Sequence, residues 1–237
     1  MNVKELCILL LLLAVVGCVT QGVKLQKEVS KKTFLTQDGQ RISYTFWEGS
    51  KDKGVILLHM LNKNRKEYDE FAKVLNIEGY PVLSFDFRGH GESDGNWQEF
   101  SPKQFKDMTL DVKAAAEFFV KKGIGKLILV GASIGANVAL VQAEEDPVVQ
   151  AVIALSPGLE YRGIQTEEAV KKISIPVLYI ASKEDEYAAL SAQRLYNLTR
   201  APAHIVLYDN AGHGTQLLAQ KGILESILQW VNKSQGR

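Results

Sequence analysis

Cysteine is almost missing from this chain: only Cys7 and Cys18 occur in 237 residues. No disulfide can brace the body of the protein, and no cysteine-based metal site can form there. Histidine is sparse as well, with four, and no two stand at the spacing of a metal-binding pair. Neither a metal nor another cofactor is therefore expected. Charge of one sign is also lacking. The 28 Lys and Arg offset 27 Asp and Glu, which leaves a formal charge of +1 with no basic block and no interleaved aromatics. Nucleic acid is not an expected partner. Internal repeats and low-complexity tracts are absent, and the length suits one domain. The long apolar run, residues 6–16, is too short to span a bilayer comfortably.

What the chain does have is a regular alternation of strand-like and helix-like segments. Residues 33–36 and 41–47 flank Gln37-Asp38-Gly39-Gln40, and Asp-Gly between two such runs reads as a β-hairpin. Strands are then expected at 55–58, 81–85, 127–130, 149–155, 175–180 and 203–208. Helices are expected at 65–77, 102–122, 134–145, 166–172 and 215–232. In the second helix Phe105, Met108, Val112, Ala115 and Phe119 recur at three- and four-residue steps, which gives one face for a sheet. The alternation predicts an α/β protein with a mostly parallel sheet covered on both faces, sites lying at the carboxyl ends of its strands.

Gly131-Ala132-Ser133-Ile134-Gly135 sits where the strand 127–130 turns into the helix 134–145. A strand, then G-x-S-x-G, then a helix exposes a serine hydroxyl on a strained turn. Glycines on either side are required because side chains there would strike neighbouring backbone. A serine nucleophile needs an imidazole to take its proton and a carboxylate to orient that imidazole. In this arrangement the acid and then the histidine follow the serine, on loops after later strands. His59 and His90 precede Ser133 and His204 opens a strand, so His213, between Gly212 and Gly214, is the histidine in the right place. Glu184, Asp185 and Glu186 crowd the loop where the acid belongs, and position alone does not choose among them. Asp209 reads as a turn former.

From about residue 33 to its end the chain resembles the α/β-hydrolase superfamily. It is most similar to small, lid-poor members of the carboxylesterase, dienelactone-hydrolase and serine-aminopeptidase kinds. The resemblance rests on Leu57-Leu58-His59-Met60, on Asp86-Phe87-Arg88-Gly89-His90-Gly91-Glu92-Ser93, on the G-x-S-x-G, on Lys183-Glu184-Asp185-Glu186-Tyr187 and on Ala211-Gly212-His213-Gly214, in that order. It implies an α/β-hydrolase fold with an N-terminal antiparallel hairpin, helices on both faces and little or no lid. It also implies Ser133 as nucleophile, His213 as general base and Asp185 as the orienting acid. The backbone N–H groups of Ile134 and Leu61 would form the oxyanion hole. Relatives carry glycine where this chain has Met60, so Met60 itself is the alternative donor. His59, Asp86, Arg88, His90 and Ser93 are read as braces of their loops. With only residues 156–174 after the sixth strand, the cleft should be open, lined by Met60, Tyr161 and Tyr187. Such a site suits short- to medium-chain esters. Peptidases, thioesterases and acyltransferases use the same three residues, and a non-catalytic binding module on the cell envelope is a further alternative.

The first residues form a separate object. A short polar start, the apolar run and Val15-Val16-Gly17-Cys18 resemble a bacterial lipoprotein signal. The expectation is cleavage after residue 17, acylation of Cys18, a polar tether over residues 18–32 and a hydrolase domain over 33–237. The protein would then be held at a membrane of the bacterial envelope by its acyl chains. Val19, rather than aspartate, fits the outer membrane of a Gram-negative cell.

Overall fold

A computed structural model of the chain describes residues 29–233. Cys7, Cys18, the expected signal and most of the expected tether lie outside the described residues. The strand β1 (Val29–Leu35) begins within the range expected to be tether. It pairs antiparallel with β2 (Arg41–Trp47) around the Asp38-Gly39 turn, where Gly39 takes the left-handed backbone that such a turn needs. Then follow β3 (Lys53–Leu58), β4 (Val82–Phe85), β5 (Lys126–Ala132), β6 (Val149–Leu155), the short pair β7 (Glu160–Tyr161) and β8 (Ile164–Gln165), β9 (Val177–Ser182) and β10 (Ala203–Tyr208). Eight of these form one sheet in the order β1-β2-β4-β3-β5-β6-β9-β10, and β7 and β8 pair with each other. β2 runs antiparallel to β4, and from β4 to β10 every neighbouring pair is parallel.

Helices cover both faces. Among the described residues they are α1 (Asp69–Ile77), α2 (Pro102–Lys106), α3 (Met108–Lys121), α4 (Ile134–Glu145), α5 (Glu167–Lys172), α6 (Glu186–Leu198) and α7 (Ile223–Lys233). α1 and α7 pack on one face through Phe71, Leu75, Ile223, Ile227 and Val231. α3, α4 and α6 pack on the other through Met108, Val112, Phe119, Val138, Leu140, Ala188 and Leu195. β3, β4 and β9 are buried at every position, as a strand sandwiched between two helical layers must be. No helix among the described residues is long and apolar enough to cross a membrane.

Four segments differ from expectation. The helix expected over 65–77 opens with a 3-10 turn, Arg65–Tyr68, because Arg65 is held by Asp86 and Asn64 caps the Lys66 N–H. The helix expected over 102–122 starts from a Ser101 capping box and breaks at Asp107, which re-aims the chain so that Phe105 and Met108 are both buried. The final helix does not run from 215. A 3-10 stretch, Gly214–Ala219, gives way to α7 past Gly222, whose φ of 88° a right-handed helix cannot use. Residues 160–165, where no strand is expected, form the β7–β8 hairpin.

The loop after β4 is braced by buried ion pairs. Asp86 takes the Arg65 guanidinium and the N–H groups of Arg65 and Glu92. Asp111, fully buried on α3, takes the N–H of Arg88 at 2.8 Å and its guanidinium at 2.8–2.9 Å. Arg88 also reaches Asp38 in the first hairpin at 2.8 Å and holds that carboxyl down at about 2. Burial pushes the Asp111 carboxyl above the ordinary carboxylate range despite its partner. Ser93 Oγ donates to the Asp86 carbonyl and accepts from the Ser43 N–H. His90 stacks on Trp97 at 5.5 Å and bonds the Arg88 carbonyl. Replacing Arg88 with Met should lower stability in urea by about 3–5 kcal/mol, because Asp111 loses its buried partner. The double variant Arg88→Met, Asp111→Leu should recover most of that loss. A single variant as stable as the parent would remove this pair as a brace.

Candidate active site

β5 enters the core as a run of buried apolar residues and ends at Ala132. Ser133 follows with φ 53° and ψ −121°, a left-handed conformation unusual for a residue with a side chain. Its N–H donates to the Leu155 carbonyl at 2.8 Å, and its own carbonyl accepts from Ala136 and Asn137 at the start of α4. A Cβ on Gly131 would fall on the carbonyl of Gly135, and a Cβ on Gly135 would fall on the carbonyl of Leu58. Both glycines are thus fixed by backbone touching backbone. The N-terminus of a helix buried on nearly all sides points at Ser133, where partial positive charge favours an anion.

His213 and Asp185 come to the same edge of the sheet from the loops after β10 and β9. Nδ1 of His213 lies 2.6 Å from Oδ2 of Asp185, with the pair partly open to solvent. Gly212 and Gly214 both have positive φ, which lets the chain turn sharply on either side of the imidazole. The three acids of the loop differ in what they touch. Glu184 reaches away, accepting from Ser182 Oγ at 2.7 Å and from the Asn210 N–H at 2.6 Å, and these bonds hold its carboxyl below the usual range. Glu186 is exposed in the first turn of α6. Asp185 is the one brought to His213. Asp209 pairs with Lys183 at 2.7 Å.

The loop after β3 is the third wall. His59 is fully buried, and its Nε2 accepts the Phe87 N–H at 3.0 Å. The ring proton must then sit on Nδ1, which donates to the Met60 carbonyl at 2.6 Å. Burial pushes this histidine down to about 3, so it stays neutral. The Met60 N–H donates to Glu67 Oε1 at 2.8 Å and is not free to meet a substrate. The N–H groups of Leu61 and Ile134 make no hydrogen bond among the described residues. Met60 packs its sulfur against Gly214, where a Cβ would overlap it.

The fourth wall is the β7–β8 hairpin. Tyr161 neighbours Ser133, and burial raises its phenol well above the ordinary value. Its ring meets that of Tyr187 edge-on at 5.6 Å. The Tyr187 hydroxyl both donates to the Glu160 carbonyl, at 2.9 Å, and accepts from the Glu160 N–H, at 3.1 Å. Buried Asn137 on α4 ties the hairpin from below, donating to the Ile164 carbonyl and accepting the Gly158 N–H. Asn137, Glu67 and Ser156, whose Oγ accepts the Gly214 N–H at 2.9 Å, are the site neighbours that sequence reasoning missed. No local pattern marks them, because each acts on a residue distant in sequence. Among the described residues no cluster of His, Cys, Asp and Glu side chains could hold a metal ion.

A buried strand, a left-handed serine, a buried helix, and an acid and a histidine on later strand ends together define the α/β-hydrolase architecture. A family model described as Hydrolase_4, serine aminopeptidase, S33, matches residues 49–165. A probable alcohol acetyltransferase of Cyberlindnera fabianii is 34% identical over 94 residues, 39% of this chain and 24% of that protein. An uncharacterized protein of Bacillus subtilis (strain 168) is 23% identical over 197 residues, 67% of this chain and 64% of its own. The chain therefore spans less than two thirds of the length of each of these curated relatives. Among solved structures, an esterase of Pyrococcus furiosus superposes with a TM-score of 0.72 at 20% identity, covering 92% of this chain and 93% of its own. The chain has the α/β-hydrolase fold that the resemblance read from its motifs implies, and its residues 49–165 are similar to the Hydrolase_4 family.

A Cβ on Gly158 would stand 2.7 Å from the Tyr161 ring and 2.9 Å from that of Tyr187. Gly158→Ala should therefore force the aromatic pair apart, lowering stability by about 1–3 kcal/mol and changing the near-ultraviolet tyrosine dichroism. An unchanged spectrum and melting temperature would mean that the hairpin yields freely.

Proposed function

We propose that the chain is a serine hydrolase cleaving short- to medium-chain carboxylic esters. The observation that carries the reading is a left-handed Ser133 at the head of a buried helix, on the same sheet edge as the hydrogen-bonded Asp185–His213 pair. In this reading Ser133 Oγ attacks the carbonyl carbon while Nε2 of His213 takes its proton. Asp185 keeps the other ring proton on Nδ1 and stabilises the imidazolium. The N–H groups of Leu61 and Ile134 receive the negative charge on the carbonyl oxygen. The C–O bond then breaks, and the alcohol leaves with the proton from His213 while the acyl group stays on Ser133. Water, giving a proton to His213, attacks that acyl carbon, releases the acid and restores the serine.

Esters are favoured by the likeness to the Pyrococcus furiosus esterase. Short acyl chains are favoured by the cover over the cleft, since only a hairpin and the short α5 stand between β6 and β9. Met60, Tyr161 and Tyr187 would line the substrate. Acyl transfer to an alcohol is the second reading, favoured by the match to the probable alcohol acetyltransferase. A fluorophosphonate probe should label the parent and spare Ser133→Ala and His213→Ala, and Asp185→Asn should lose about 10⁴-fold in kcat. Turnover on p-nitrophenyl esters should be highest between butanoate and octanoate, and a maximum at palmitate would overturn the short-chain assignment. An excess of transfer product over free acid in the presence of butanol would move the assignment to acyl transfer.

We also propose that Cys18, outside the described residues, is acylated and anchors the chain at a membrane of the bacterial envelope. Two or three acyl chains at about 0.8 kcal/mol per buried methylene would hold it firmly. Clickable palmitate should label the full chain and not Cys18→Ala, and equal labelling of the two would exclude this anchor.

A further inference from the structure

Glu67 belongs to none of the groups assigned so far, yet one carboxylate joins two walls of the site. Its Oε1 accepts the Met60 N–H at 2.8 Å, and its Oε2 accepts the Thr215 hydroxyl at 3.0 Å. Met60 lies in the loop after β3, beside Leu61. Thr215 stands two residues beyond His213. The two loops also touch directly, since the Met60 sulfur fills the space over Gly214.

Glu67 projects from a fixed frame. On one side Arg65 is fully enclosed, its N–H and guanidinium on Asp86 and its carbonyl accepting Ser84 Oγ at 2.8 Å. On the other side the buried Tyr68 hydroxyl donates to the Leu58 carbonyl at 3.1 Å. The 3-10 turn between them is pinned at both ends, so the carboxylate has little freedom. Its partners are N–H and O–H donors, and its geometry is that of a bridge rather than of a reacting acid.

We propose that Glu67 is a positioning residue. By taking the Met60 N–H it leaves the next one, on Leu61, to face the developing oxyanion, and through Thr215 it keeps the His213 loop in register with that donor. The inference rests on the serine-hydrolase reading above. Two adjacent N–H groups in one loop could each turn toward a substrate, and a fixed acceptor for the first selects the second. Position 60 is a methionine and lacks the backbone freedom of glycine, so the acceptor sets the orientation of the loop there. Loss of one oxyanion donor costs about 10²- to 10³-fold in kcat, and partial misalignment costs less.

The test compares Glu67→Ala, Glu67→Gln, Thr215→Val and Thr215→Ser with the parent and with Ser133→Ala, in the full chain. Each is read by kcat and KM on p-nitrophenyl butanoate and by melting temperature. Glu67→Ala should lose about 10²-fold and Thr215→Val about 10-fold in kcat, with KM within about twofold. Glu67→Gln and Thr215→Ser should stay within about threefold of the parent, because an amide can accept from Met60 and donate to Thr215, and serine keeps the hydroxyl. A folded Glu67→Ala or Thr215→Val with parental kcat would overturn the proposal. So would a loss confined to KM or to melting temperature, or a Glu67→Gln as impaired as Glu67→Ala. Should Glu67→Ala not fold, Thr215→Val and Glu67→Gln decide by the same criteria. Turnover surviving in Ser133→Ala would instead bring down the serine-hydrolase reading, and an inactive Ser133→Ala beside a fully active Glu67→Ala removes only the role of Glu67.

Discussion

Two stretches of backbone touch at the centre of this molecule, and the contact is possible because Gly131 and Gly135 have no side chains. The Leu58 carbonyl at the end of β3 occupies the space beside Gly135, and the Gly135 carbonyl occupies the space beside Gly131. Helix α4 is thereby drawn against two strand ends at once, and the single residue left to make the turn, Ser133, must take a left-handed backbone. Such a conformation costs about 1–3 kcal/mol. Burial of α4 between the sheet and its neighbouring helices offsets it, with Ile134, Val138, Ala139 and Leu140 all shielded from water. The same closeness brings the start of the loop after β3 beside the start of α4.

Most polar groups at this end of the sheet serve to tie loops together. Ser156 holds the turn after His213, Ser182 holds Ala211, and Glu184 holds Asn210. Asn137 holds both ends of the hairpin, while Asp86 holds the 3-10 turn that carries Glu67. Loops that emerge from a parallel sheet have no sheet partners of their own, so their backbone groups need side chains to meet them. The candidate site sits inside this larger set of ties.

The division is also what separates the readable parts of the sequence from the unreadable ones. Apolar runs such as 127–130 announce buried strands, and glycines around Ser133 and His213 announce turns that no other residue can make. Local chemistry is enough for those. The hairpin at 160–165 carries no such mark, since strands of two residues have no periodicity, and it is held by Asn137 and Tyr187 rather than by its own sequence. The break at Asp107 and the stop at Gly222 fall within stretches whose apolar spacing continues smoothly past them. Glu184 and Asp185 are indistinguishable by position. Their difference lies in reach, since the longer side chain extends to Asn210 and the shorter one stays beside His213. Glu67 looks like one more acid in a charged helical stretch, and its two partners, one seven residues away and the other 148, become visible only after folding.

The Tyr187 hydroxyl grips both polar groups of one peptide residue, Glu160, much as a neighbouring strand would. Tyr187 stands two residues after Asp185 on the same first turn of α6. The hairpin over the cleft and the carboxylate beneath the imidazole are therefore mechanically one body. A molecule too bulky for the cleft, in lifting the hairpin, would pull on the turn that aligns His213.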